Sequence, residues 1–149
     1  MKIIFMGNPD FAVPSLKTLV ASHNEIVGVV SNPERRMGRG RQMQFTAVGE
    51  EAHRMHLPLY PVENLKSAET HQLLADLQPD LLAVVAYRIL PKSILSIPRI
   101  GAINLHASLL PRYRGAAPIQ WALIHGDAET GVTTFLIQPK VDVGRILLQ

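Results

Sequence analysis

Apolar residues along the chain fall in short bursts, and the spacing within successive bursts changes between continuous runs and a helical repeat, the rhythm of strands alternating with helices. Residues 2–6 form an apolar run that ends at Gly7, and after Asn8, Pro9 and Asp10 the positions Phe11, Val13, Leu16 and Leu19 recur at helical spacing. Residues 25–30 return to a β-branched run closed by Ser31, Asn32 and Pro33, which completes a strand, helix, strand unit. A second helix is predicted over residues 46–56, with Thr46 as its cap and Glu50 and Glu51 in its early turns; it stops before Leu57 and Pro58. Leu59 and Tyr60 make a candidate short strand. Residues 68–77 carry Leu73, Leu74 and Leu77 on one helical face, Pro79 ends that helix, and the apolar run 81–87 reads as a central parallel strand. A strand at 101–105, a helix at 117–125 and a threonine- and valine-rich strand at 131–137 follow. This order predicts an α/β fold: a mostly parallel, twisted sheet with helices on both faces and ligand sites at the C-terminal ends of its strands.

A chain of 149 residues suits one domain, and no repeat, low-complexity tract or linker divides it. Its last residues, Ile146, Leu147, Leu148 and Gln149, form a hydrophobic run with no following helix or polar tail. Truncation at the C-terminal end is therefore expected, a terminal edge strand being the alternative. A hydrophobic fraction of 47% with 18% charged residues excludes a disordered chain. No run approaches the roughly 18 apolar residues that a membrane span needs, so a cytoplasmic protein is expected. The absence of cysteine excludes disulfides, a thiolate metal site and a cysteine nucleophile. A net charge of +3 is a weak signal by itself, but Arg35, Arg36, Arg39 and Arg41 crowd into seven residues, broken by Met37, Gly38 and Gly40. Arginine's planar fork suits phosphates, so this segment is a candidate RNA contact, against the alternative of a solvated mobile loop. The single glycine of the Gly7-to-Ala12 turn fails the three-glycine dinucleotide fingerprint, and Asp10 is expected to cap the first helix. His23, His53, His56, His71 and His125 show no convincing metal spacing. Trp121 is expected to pack in the core or at its rim.

The candidate chemistry lies at Asn104, Leu105 and His106, followed by Ser108, Leu109, Leu110, Pro111 and then Arg112, Tyr113, Arg114 and Gly115. Residues two apart in a strand face the same side, so the Asn104 amide and the His106 imidazole can enter one cleft while Leu105 turns into the core. An amide N–H and a proton-exchanging imidazole together can steady a developing oxyanion. For an isolated pair of this kind, a core histidine bonded to backbone is the better reading.

The same chain also carries Gly131-Val132-Thr133-Thr134 and, eleven residues after Gly131, Asp142-Val143-Gly144. In this order and spacing the segments resemble the folate-dependent formyltransferases, a Rossmann-like α/β family. In that family Asn-x-His-x-Ser-Leu-Leu-Pro, with a glycine four residues on, precedes a Gly-Val-Thr/Ser strand and an Asp-x-Gly turn. The opening Met6-to-Pro14 segment, the Arg39-Gly40-Arg41 loop, and the stretches 114–120 and 126–131 favour the branch that acts on methionyl-tRNA. The resemblance implies that residues 1–149 are a catalytic domain that transfers a formyl group from 10-formyltetrahydrofolate, without a metal, to the α-amino group of initiator methionyl-tRNA for translation initiation. It implies Asn104, His106 and Asp142 as catalytic residues, with Asp142 orienting His106 and helping to remove the amine's proton. For the folate it implies Arg88, Ile89 and Leu90, Ser108, Leu109, Leu110 and Pro111, and Val141; for tRNA, Arg35, Arg36, Arg39 and Arg41. No DNA or membrane partner is expected, and the full-length protein is expected to be a monomer. Relatives continue with more of the catalytic domain and a small β-barrel that grips tRNA, both absent from this chain. Pro139, Lys140, Val143 and Arg145 depart from the family pattern and bear on the pterin pocket. Two alternatives stay open: a formyltransferase acting on an amino sugar nucleotide or glycinamide ribonucleotide, and an inactive folate- or RNA-binding fragment.

Overall fold

In the computed structural model, which describes residues 1–37, 42–138 and 141–149, the N-terminal apolar run is strand β1 (Lys2–Gly7). It lies between two parallel neighbours, β2 (Glu25–Ser31) and β6 (Leu81–Val85). Successive side chains of a strand alternate between faces, so a strand covered on both sides must be apolar throughout. Ile3, Ile4, Phe5 and Met6 are accordingly all buried. Strand β5 (Leu59–Pro61) pairs in parallel outside β2, and β7 (Gly101–His106) outside β6. Two antiparallel strands, β8 (Thr133–Leu136) and β9 (Ile146–Leu148), extend the sheet beyond β7, giving the order β5-β2-β1-β6-β7-β8-β9. The mostly parallel Rossmann-like sheet expected from the sequence is present. The chain winds from β1 toward β2 on one side and resumes at β6 on the other. The switch in direction leaves a crevice at the C-terminal ends of these strands.

The sheet divides the core in two. Ile4, Met6, Val30, Leu82 and Val84 pack with Leu74 of α3 (Ala68–Asp76) and Ile94 of α4 (Lys92–Leu95). Ile3, Phe5, Val29, Ala83 and Val85 pack on the opposite face with Leu16 of α1 (Val13–Val20) and with Val48 and Ala52 of α2 (Ala47–Arg54). The Thr46 hydroxyl caps α2 by accepting the Gly49 N–H at 3.0 Å, and Ser67 caps α3 by accepting the Thr70 N–H at 3.2 Å. At the base of the sheet the Asp80 carboxylate accepts the Lys2 N–H and the Arg99 Nε–H, each at 2.9 Å. The Lys2 hydrogen bond first, and then Arg99, hold the Asp80 carboxyl below its ordinary range. The Lys2 bond ties the start of β1 to the residue that precedes β6.

Several sequence expectations are corrected. Asp10 does not cap α1: it opens a one-turn 3-10 helix, Asp10–Ala12, whose N-cap Pro9 and whose successor at Ala12 make no side-chain cap bond. The arginine segment is not simply a loop, because Arg35–Met37 (β3) pairs antiparallel with Gln42–Gln44 (β4), placing Arg35 and Arg36 on a hairpin arm. Arg39 and Arg41 lie outside the described residues, as do Pro139 and Lys140. The run predicted as 81–87 stops at Val85, where Ala86 turns into the left-handed region at φ 48°. Trp121, on α5 (Pro118–Ile124), is 48% exposed and packs against His125, so of core and rim it takes the rim. Apart from these corrections, Ile146–Leu148 takes the outer position in the sheet. Among the described residues no helix is long and apolar enough to cross a membrane.

Candidate active site

Strand β7 positions the first two functional groups. Its Asn104 pairs with Val84 of β6 on one side and Phe135 of β8 on the other, which anchors the backbone in the sheet while Asn104 and His106 line a cleft of about 490 Å³. The volume falls in the ordinary range for a small-molecule site. The walls come from the loop 86–90 after β6, from residues 115–120 leading into α5, and from Val141 and Asp142. His106 is only 7% exposed. Its Nε2 stands 2.8 Å from the Tyr113 carbonyl oxygen. A carbonyl can only accept, so this contact is a hydrogen bond with the ring proton on Nε2. Nδ1 is then the nitrogen turned toward Asp142, 3.8 Å from its Oδ2. That separation exceeds a direct hydrogen bond, and the contact becomes an ion pair only when the imidazole takes up a second proton.

The Asp142 carboxylate is held independently of the histidine. Its Oδ2 accepts the Gly115 backbone N–H at 2.7 Å, and its backbone carbonyl accepts the Arg114 Nε–H at 3.0 Å. Two residues on, Gly144 passes so close to β8 that an added Cβ would fall on the Leu136 carbonyl, 2.7 Å from its carbon and 3.0 Å from the Phe135 ring. Glycine is thus required there for the turn to close over the strand. Three non-glycine residues of the cleft wall, Ala86, Ala117 and Asp142, have left-handed φ angles of 48°, 56° and 48°. Such backbone costs about 1–3 kcal/mol each and clusters at functional sites.

The structure brings Asn104, His106 and Asp142 together in one cleft, and Arg88, Ile89, Leu90 and Val141 line it as well. The Arg88 guanidinium, however, is engaged elsewhere. It donates at 2.6 Å to the Val62 carbonyl, the Glu63 carbonyl and the Tyr87 hydroxyl, fastening the loop after β6 to the segment after β5. Ser108, Leu109, Leu110 and Pro111 are not part of the lining. The buried Ser108 hydroxyl donates to the Arg112 carbonyl at 2.6 Å, while Thr133 donates to the Ser108 carbonyl and accepts from the Leu110 N–H. This stretch is a strut that joins β7 to β8. Arg35 and Arg36 are exposed, and neither lines the cleft. Sequence reasoning missed the Tyr113 carbonyl and the Gly115 N–H, because backbone groups carry no residue-type signal; it also missed Phe11, Ile119 and Gln138, which line the cleft. Among the described residues no three potential ligands gather as a metal site.

An Asn–His–Asp cleft at a sheet crevice is a motif of chemistry, and its lineage is given by comparison. A family model described as formyl transferase matches residues 1–149. A protein named methionyl-tRNA formyltransferase from Pelotomaculum thermopropionicum is 49% identical over all of this chain and 48% of its own length. One of the same name from Thermodesulfovibrio yellowstonii is 52% identical over 99% of this chain and 48% of its own. The chain therefore spans about half the length of these relatives. The crystal structure of glycinamide ribonucleotide transformylase 1 from Symbiobacterium toebii superposes with a TM-score of 0.77 at 20% identity, covering 100% of this chain and 71% of that one, a likeness of fold. With every residue from the first strand to the last inside the family model, the chain belongs to the formyl transferase family.

Proposed function

We propose that this chain is the catalytic part of an enzyme that moves a formyl group from 10-formyltetrahydrofolate to the α-amino group of initiator methionyl-tRNA. The observation that carries this reading is the approach of His106 Nδ1 to Asp142 Oδ2 inside a cleft that Asn104 also lines. The relatives' name supports methionyl-tRNA as the acceptor. The donor fits the cleft, which is mostly walled by Ile89, Leu90, Val141 and other apolar side chains, with the backbone of residues 86–90 beside them to meet a flat heterocycle's polar edge. When bound, the folate supplies the formyl group.

The chain's own residues then do three things. Asn104 donates an N–H to the formyl oxygen as it gains charge, where a preorganised donor is most effective. His106, its Nε2 proton held by the Tyr113 carbonyl, accepts on Nδ1 the proton that the attacking amine loses. The imidazolium so formed lies beside the Asp142 carboxylate, which stabilises it until the proton passes to the departing folate nitrogen. One C–N bond forms, one breaks, and the proton leaves with the departing group. Arg35, Arg36, Arg39 and Arg41 are proposed to meet tRNA phosphates. The setting proposed is cytoplasmic, with a monomeric full-length protein and neither DNA nor membrane as partner.

The test is formyl transfer by the full-length protein from 10-formyltetrahydrofolate to methionyl-tRNA, glycinamide ribonucleotide and an amino sugar nucleotide in parallel. Transfer to methionyl-tRNA is expected. Transfer only to one of the small amines would replace this acceptor, and no transfer to any would remove the enzymatic reading.

A further inference from the structure

Outside the cleft, one cluster of charged and aromatic side chains takes no direct part in the proposed chemistry, yet its backbone touches His106. Tyr113 donates its hydroxyl hydrogen to Asp127 Oδ2 at 2.7 Å, and Arg112 Nη2 donates to Asp127 Oδ1 at 2.7 Å. The Arg112 guanidinium also lies 5.3 Å from the centre of the Tyr113 ring, and His125 stacks on that ring at 5.6 Å. None of these four side chains lines the cleft. The Tyr113 backbone is left-handed at φ 53°, a conformation a bulky L-residue adopts only when its surroundings hold it. Its carbonyl is the group that receives His106 Nε2–H.

We propose that Tyr113 and Asp127 are positioning residues: the phenol-to-carboxylate bond pins Tyr113 in its left-handed turn, and the carbonyl so aimed keeps the His106 proton on Nε2 and frees Nδ1 for the cleft. Without the clamp, Tyr113 relaxes toward negative φ, its carbonyl rotates away, and the ring loses its preference between tautomers. The groups that face this assembly are Arg112 and His125 around the Tyr113 ring, Asp127 at its hydroxyl, and Asp142 on the far side of His106. The Tyr113 hydrogen bond and then Arg112 hold the Asp127 carboxyl below its ordinary range, and Asp127 raises the Tyr113 phenol above its own. The clamp therefore remains a phenol donating to a carboxylate across the neutral range. The rate arm of the test rests on formyl transfer; the tautomer arm does not.

The experiment uses the full-length protein with ¹⁵N-labelled histidine, the His106 signals being identified by their loss in His106→Ala. Wild type is expected to show protonation at Nε2. Tyr113→Phe, which keeps the ring and removes only the hydroxyl, is expected to give a tautomer mixture, as is Asp127→Ala; Asp127→Asn, which can still accept from the phenol, should restore the wild-type pattern in large part. Turnover should follow: kcat falls roughly 10- to 100-fold in Tyr113→Phe, the size of effect that a misplacement near 1 Å produces, with KM close to wild type and the acid limb of the pH–rate profile displaced. Retention of the Nε2 tautomer and of wild-type kcat in folded Tyr113→Phe overturns the proposal. A tautomer shift in a protein that formylates no amine supports the clamp and removes the proposed function instead.

Discussion

Replacing Gly144 by alanine tests whether the turn that carries Asp142 must lie against β8. The new Cβ would fall on the Leu136 carbonyl, 2.7 Å from its carbon and 3.0 Å from Cδ2 of Phe135, so either strand or turn must retreat by more than about 1 Å. Strand β8 is held by β7 on one side and β9 on the other, and the Leu136 N–H donates to the Arg145 carbonyl at 2.9 Å. The turn is the softer partner, and its movement draws Asp142 away from the Gly115 N–H and from His106. Overpacking of this kind costs about 1–3 kcal/mol of stability. Displacement by this distance of a carboxylate proposed to stabilise the His106 imidazolium is expected to lower kcat on the order of 100-fold. Single-turnover formyl transfer at saturating substrates, beside urea unfolding of the same full-length variant, separates the two effects. A folded Gly144→Ala protein with wild-type turnover would show that Asp142 needs no fixed seat, and the geometric basis of the proposed chemistry would be lost.

Removal of the imidazole or carboxylate, His106→Ala or Asp142→Ala, should slow the chemical step by roughly 10²- to 10⁴-fold while folate affinity, read by fluorescence or calorimetry, changes little. Arg88→Met should destabilise the fold by about 2 kcal/mol in denaturant titration, since it strips charged donors from the Val62 and Glu63 carbonyls; an unchanged midpoint would mean that water replaces those bonds freely. Asp80 titrates below its ordinary range in the folded chain, so its contribution is fully present above the unfolded-state value and is lost as pH falls through the lower folded one. Melting temperatures measured down through that acid window should therefore fall more steeply for wild type than for Asp80→Asn; parallel curves would show no linkage. Paired substitution of Arg35 and Arg36 by alanine should weaken tRNA binding and flatten its dependence on the logarithm of salt by about 0.7–0.9 for each phosphate left without its arginine. Identical slopes for variant and wild type would detach the hairpin from RNA.

The parallel strands were the most legible part of the fold because β1, β2 and β6 are largely covered on both faces and must read as near-continuous apolar runs. The pairing of β3 with β4 was illegible for the opposite reason: Arg35, Arg36, Gln42, Met43 and Gln44 are exposed, so no apolar alternation marks them. The strand at β8 could be foreseen, but its antiparallel direction could not, since direction depends on the route of the chain and not on the strand's own residues. At the site, the period of two places Asn104 and His106 on one side from local geometry alone. Asp142 is different: nothing local says that a carboxylate 36 residues beyond His106 returns to it, and only the resemblance anticipated the approach. The resemblance also drew Ser108, Leu109, Leu110 and Pro111 toward the folate, whereas none of the four lines the cleft and the hydrogen bonds of Ser108 and Leu110 tie this stretch to β8.

The left-handed residues of the cleft wall have an evolutionary corollary. Glycine would occupy the backbone of Ala86 or Ala117 at less steric cost, so a search for thermostabilising substitutions would find them among its first gains. A methyl group also narrows the backbone's freedom before any substrate arrives, which glycine would surrender. Resistance to heat and rigidity of the cleft wall are therefore in competition at the same two alanines.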